Sequence, residues 1–171
     1  EIVNNFKKDK NFINLISRLN LKRNLADSIN DGIKKANYEN IIWMDADFQH
    51  PPKYIDKFID FSKEYDAVIA SRFLKESKRY FNTNEFKKEI NENQSYFYNK
   101  VCRSLFFKDV TDYTSGFVCL KKDFFKDYSL SGYYGDYFVD LIIELKKNKR
   151  RIIEIPFKDS ERASGLSKTL V

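Results

Sequence analysis

Apolar positions along this chain follow two different rhythms. From Lys22 to Ala36, Leu25, Ile29 and Ile33 recur every fourth residue, the period of a helix with one apolar face. Asn40 to Asp45 is instead a continuous apolar run that ends in an acid, the pattern of a strand buried on both sides. Asp66 to Arg72, DAVIASR, predicts a second such strand, and Phe12 to Ser17 a shorter one. Residues 1–8 read as the tail of a helix. Pro51 and Pro52 suit the first turn of a helix over 51–64. Lys, Glu and Asn dominate 74–94, which predicts a loop and a helix start, followed by a helix over 93–107. Gly116–Lys121 predicts a strand. Tyr134–Lys147 predicts a helix with Phe138, Leu141, Ile142 and Leu145 on one face, and Arg151–Pro156 a last strand. Strands alternating with helices predict an α/β domain with a mostly parallel sheet and flanking helices. No internal repeat or Pro/Gly-rich linker interrupts it, so residues 1–171 read as one domain.

Composition narrows the class. Hydrophobic residues make up 42% and charged residues 33%, which fits a folded chain and not a disordered one. No run of about eighteen apolar residues is present, so no membrane span is predicted. The first residues do not read as a secretory leader. Cys102 and Cys119 are not in CxxC spacing and are expected to be buried, reduced thiols. A net charge of +6 would suit nucleic acid, an anionic membrane or a phosphate-rich substrate. The basic residues are dispersed, apart from Lys146-Lys147-Asn148-Lys149-Arg150-Arg151, which reads as a solvated helix end. No nucleic-acid recognition motif is present, and nucleic acid is not an expected partner.

The chemistry concentrates where the Asn40–Asp45 strand ends. Asp45 and Asp47 are one residue apart at its carboxyl end, the place where open α/β sheets bind ligands. In extended backbone, residues i and i+2 face the same way. Two converging carboxylates repel unless a cation lies between them. Hard oxygen ligands suit Mg²⁺ or Mn²⁺, especially beside a diphosphate. The residues therefore predict a divalent-metal and nucleotide-diphosphate site. The alternative is that one acid caps the following helix and the other is solvated.

Four ordered stretches carry a resemblance. MDADFQHPPKYI (Met44–Ile55), ASRF (Ala70–Phe73), DYTSGFVCLKK (Asp112–Lys122) and IEIPFKDSERASGLSK (Ile153–Lys168) resemble motifs of family-two glycosyltransferases with the GT-A, Rossmann-like fold. The resemblance is to the branch of dolichyl-phosphate mannose synthases and polyprenyl-phosphate glycosyltransferases. Asn24 stands where that branch has Gly, and Asn tolerates left-handed backbone better than most residues. Lys53 replaces a frequent acid and is expected on the surface. The family's opening strand, helix and acidic second strand have no match here. The chain is thus expected to be an N-terminally truncated catalytic domain with open strand edges, unstable or inactive when expressed alone.

The resemblance implies inverting transfer of a mannose- or glucose-type sugar from a nucleotide-diphosphate sugar to a polyprenyl or dolichyl phosphate. It places the work at the cytoplasmic face of a membrane. It implies donor binding by Asp45, Asp47, Gln49 and Arg72, with Asp47 and Asp45 holding Mg²⁺ or Mn²⁺. Arg162, Ser167 and Lys168 would grip the acceptor phosphate. A phosphate acceptor is already largely a dianion at neutral pH and needs no strong base. Asp112 is thus expected to orient; were the acceptor a sugar hydroxyl, Asp112 or Asp140 would be the base. His50, the only histidine, reads as a turn or packing residue. Gly116 and Phe117 read as structural, and Glu154 and Pro156 as shaping the turn before Arg162. A glycan-directed glycosyltransferase and an inactive, partner-binding remnant are the competing readings.

Overall fold

The computed structural model describes residues 12–18, 24–77, 85–158 and 160, with backbone alone over 85–94. In chain order the elements are α1 (Leu25–Lys35), β1 (Asn40–Trp43), a 3₁₀ turn (Pro52–Tyr54), α2 (Ile55–Phe61), β2 (Ala67–Ser71), α3 (Glu85–Leu105), β3 (Val118–Lys121), a second 3₁₀ turn (Lys122–Lys126), α4 (Asp136–Lys147) and β4 (Ile152–Pro156). The described strands form one sheet in the order β1-β3-β2-β4. The α/β class and the partial GT-A reading hold.

One detail of the sheet differs from expectation. β3 pairs antiparallel with both β1 and β2, and only β2 and β4 pair in parallel. β1, β2 and β4 still run in one direction, with β3 against them. A fully buried strand reads as the same apolar run whichever way it points, so the pattern could not reveal this.

Alternation along the strands divides the core between two faces. Ala67, Ile69, Val118 and Leu120 face α1 and α4, where Ala26, Ile33, Phe138, Leu141, Ile142 and Leu145 complete one cluster. Val68, Ala70, Cys119 and Ile155 face the other way, onto Phe58 of α2, Phe117 and Phe157. Burial raises the Cys119 thiol to about 11, so it packs as an inert small hydrophobe. Cys102 is buried too, and both cysteines are free thiols.

Local chemistry sets the helix starts. Asn24 is extended (φ −152°, ψ 128°) and not left-handed; its side chain caps α1 by accepting the Asp27 N–H. The expected helix over 51–64 opens as the 3₁₀ turn on Pro52 and closes at Phe61. α3 begins at Glu85, well before the expected 93. Its polar opening turns lack the apolar period that the expectation relied on.

Two stretches depart further. Residues 12–17 form no strand, and Phe12 and Leu15 stay 76% and 51% exposed. A strand exists only against a partner edge, and among the described residues none meets this segment. The tail expected over 1–8 lies outside the described residues. Among the described strands β1 lies at one end of the sheet, and beside it Ile29 and Ile33 of α1 and Ala36 just past it, with Ile41, Ile42 and Trp43, line an apolar groove of about 360 Å³. Among the described residues no helix is long and apolar enough to cross a membrane.

Leu141 is fully buried at the centre of the first cluster. Leu141→Ala should cost about 2–5 kcal/mol of stability, read by urea denaturation. A loss under about 1 kcal/mol would contradict this packing.

Candidate active site

Strand direction brings the chemistry to one edge. Trp43 and Ile69 both pair with Val118, and Ser71 pairs with Pro156. The carboxyl ends of β1, β2 and β4 therefore meet the amino end of β3. Four segments leave the sheet there: Met44–His50, Arg72–Phe73, Thr111–Phe117 and Phe157–Lys158.

The Asp45–Asp47 segment is a tight turn. Asp45 is exposed, and its carboxylate makes no hydrogen bond or ion pair among the described residues. Asp47 is half-buried, and its Oδ1 accepts the Gln49 N–H at 3.0 Å. Phe48 between them adopts φ 65°, a left-handed conformation uncommon for a bulky residue. The Gln49 carbonyl accepts the Ser160 N–H at 3.2 Å, which ties the turn to the chain beyond β4. His50 closes the turn with a 3.0 Å hydrogen bond from the Asp45 N–H to Nδ1.

Arg72 and Asp112 form the second part. Arg72 Nε and one terminal nitrogen donate to the two Asp112 carboxylate oxygens, each at 2.9 Å. The Arg72 N–H adds a 3.1 Å bond, and Thr114 donates from both its N–H and its hydroxyl. The Asp112 side chain is fully buried. Burial pushes its carboxyl up, but the Arg72 charge, the Arg72 hydrogen bonds and the Thr114 N–H outweigh this and hold it below the usual range.

Glu154 braces the same loop from β4, accepting the N–H of Thr111 at 2.8 Å and of Asp112 at 2.9 Å. Burial raises its carboxyl, and those two N–H groups offset part of the effect. From α3, Asn99 accepts the Tyr113 N–H and donates to Thr114 Oγ1 at 3.0 Å. His50 stacks on Phe117, whose carbonyl accepts the Ala70 N–H at 3.0 Å, so the turn lies beside the strand end that carries Arg72.

The structure brings Asp45, Asp47, Gln49, Arg72 and Asp112 to this edge. It does not bring Asp140 with them: that residue lies on α4, and its carboxylate accepts the Tyr128 hydroxyl at 2.9 Å. Asp112 has both carboxylate oxygens committed to Arg72. Arg162, Ser167 and Lys168 lie outside the described residues. Glu154 braces the loop before β3 rather than only a turn ahead of Arg162. Asn99 had no signal in the sequence, since a polar residue within a polar helix looks solvated until the helix is docked.

The donor set fits a hard divalent cation in chemistry. Among the described residues no group of three or more Asp, Glu, His or Cys could hold a metal. Two carboxylates, one exposed and one half-buried, match the sparse protein ligation of Mg²⁺, whose remaining positions go to substrate phosphates and water.

Sequence comparison gives the class of the chain. Residues 1–129 match the profile of glycosyl transferase family 2. The chain belongs to that family. It is also 28% identical, over 154 residues, to a dolichol-phosphate mannosyltransferase of Pyrococcus furiosus. That similarity covers 90% of this chain and 42% of the relative, so the chain spans less than half the relative's length.

Asp112→Asn would remove the fully buried charge that Arg72, whose side chain is 17% exposed, holds with two hydrogen bonds. Stability should fall by about 3–5 kcal/mol. The native carboxyl titrates below its unfolded value of about 3.9, so its contribution is complete above about pH 5 and is lost as pH falls through that value and the lower native one. Chemical denaturation at several pH values should show the gap between parent and variant narrowing only below about pH 4. A gap that is flat across the acid range would exclude the ion pair.

Proposed function

We propose that this protein transfers a mannose- or glucose-type sugar, with inversion, from a nucleotide-diphosphate sugar to a polyprenyl or dolichyl phosphate. The observation that carries the reading is the convergence of the Asp45–Asp47 turn with the Arg72–Asp112 pair at one sheet edge. Membership of glycosyl transferase family 2 and similarity to a dolichol-phosphate mannosyltransferase support the donor and acceptor classes.

Asp45 and Asp47 would hold a Mg²⁺ or Mn²⁺ ion that, when bound, offsets charge on the leaving nucleoside diphosphate. Gln49, in the same turn, would face the donor. Arg162 and Lys168 would bring the acceptor phosphate up against its repulsion from the diphosphate, with Ser167 donating a hydrogen bond. Asp112 would act by holding Arg72 and the loop before β3.

The acceptor assignment has support in what the acids are doing. The Asp112 oxygens are taken by Arg72, and the Asp140 carboxylate takes the Tyr128 hydroxyl. A sugar hydroxyl would need a base to remove its proton, and neither acid is poised for that. A phosphate dianion needs no such group. This favours a lipid phosphate over a glycan acceptor. Such an acceptor would put the work at the cytoplasmic surface of a membrane.

The direct test offers labelled nucleotide sugars one at a time to the full chain with Mn²⁺ or Mg²⁺ and polyprenyl phosphate, followed by solvent extraction. Label should enter the lipid phase only when the lipid phosphate is present. Label in a water-soluble glycan instead would overturn the acceptor, and no transfer from any donor would favour an inactive, partner-binding protein. Asp47→Asn should lower transfer by about 100-fold or more; retained activity would remove the metal role. Arg162→Ala should raise the KM for the lipid phosphate more than that for the donor, and equal effects would remove its acceptor role.

A further inference from the structure

His50 does more in this structure than fill a turn. It is 6% exposed. Its ring stacks on Phe117 with centroids 4.7 Å apart and planes 7° from parallel, and Phe157 meets it edge-on at 5.8 Å. Phe117 and Phe157 are themselves buried and stand where β3 begins and β4 ends. The ring is therefore fixed against the sheet and cannot turn with the loop.

From that fixed position, Nδ1 accepts the Asp45 N–H at 3.0 Å. The proton of the neutral ring is then on Nε2. Asp45 is the first residue but one beyond β1, where the sheet no longer supplies a partner for its N–H. The imidazole supplies that partner. It fixes the peptide from which an exposed, otherwise unbonded carboxylate projects.

We propose that His50 is a positioning residue for Asp45: its sheet-anchored Nδ1 holds the Asp45 main chain so that the carboxylate projects toward the cation and diphosphate. This rests on the metal and nucleotide-diphosphate reading above. Groups that orient a ligating side chain in this way are worth about 10–100-fold in metal affinity.

Three substitutions separate positioning from packing. His50→Phe keeps a flat ring on Phe117 but removes the acceptor. His50→Asn loses the ring but keeps an acceptor oxygen at the branch position of Nδ1. His50→Gln loses the ring and moves its acceptor one bond further out, toward the place of Nε2. Mn²⁺ affinity is measured by electron paramagnetic resonance, with GDP and separately with UDP present, alongside a thermal melt of each protein.

Positioning predicts that Phe and Gln weaken Mn²⁺ about 10-fold, while Asn stays within about 3-fold of the parent although it melts lower. Unchanged Mn²⁺ affinity in His50→Phe would reduce His50 to packing and overturn the inference. Should His50→Phe not fold, the Asn and Gln pair decides, since both lose the ring. Equal affinities in those two would likewise overturn the inference. A parent that binds no Mn²⁺ with either nucleotide overturns the metal reading itself, and this inference with it.

Discussion

Everything at the active edge depends on one buried ion pair. Arg72 leaves the end of β2 and Asp112 lies in the loop that leads to β3, and their side chains meet with two matched hydrogen bonds. Taking two charges out of water costs several kcal/mol each, and their attraction repays it only when the remaining lone pairs are also satisfied. Here they are: the Arg72 N–H and Thr114 complete the Asp112 carboxylate. Glu154 and Asn99 then hold the same loop by its backbone, from β4 and α3. Three elements distant in sequence are thereby fixed in one arrangement.

That constraint divides the acids by task. Asp112 is buried and Glu154 half-buried, and both accept hydrogen bonds from the main chain of this edge. Asp45 and Asp47 lie on the open side of the same edge, one exposed and one half-buried with its Oδ1 on the Gln49 N–H. A site built this way is braced beneath the turn where the proposed cation and diphosphate would bind, and open where these would enter.

The basic run near the end of α4 illustrates how charge is used elsewhere. Lys146 pairs with Asp109, and Arg150 lies 3.1 Å from Asp123. Arg151 lies 3.7 Å from Asp66, and its N–H donates to the Asp66 carboxylate. The Arg151–Asp66 contacts tie the start of β4 to the start of β2, while Lys146 joins α4 to the loop after α3 and Arg150 reaches the second 3₁₀ turn. The run is part solvated helix end, as its composition implied, and part a clamp between neighbouring strands.

The sequence by itself determined the helices and the buried strands, because apolar period and apolar run length are local properties. Leu25, Ile29 and Ile33 announce α1 without reference to any other part of the chain, and DAVIAS announces β2. It also marked Asp45 and Asp47, since two acids at the end of an apolar run are conspicuous in one dimension. What it could not determine are relations between distant residues. The antiparallel entry of β3 leaves no trace in its apolar pattern, because a strand buried on both faces looks alike in either direction. The segment 12–17 has strand-like residues, but a strand is made by a partner edge, and none meets it among the described residues. Asp112 and Asp140 are equally plain acids on paper. Only packing assigned one to Arg72 and the other to Tyr128, and only packing turned His50 from a residue before two prolines into the partner of the Asp45 N–H.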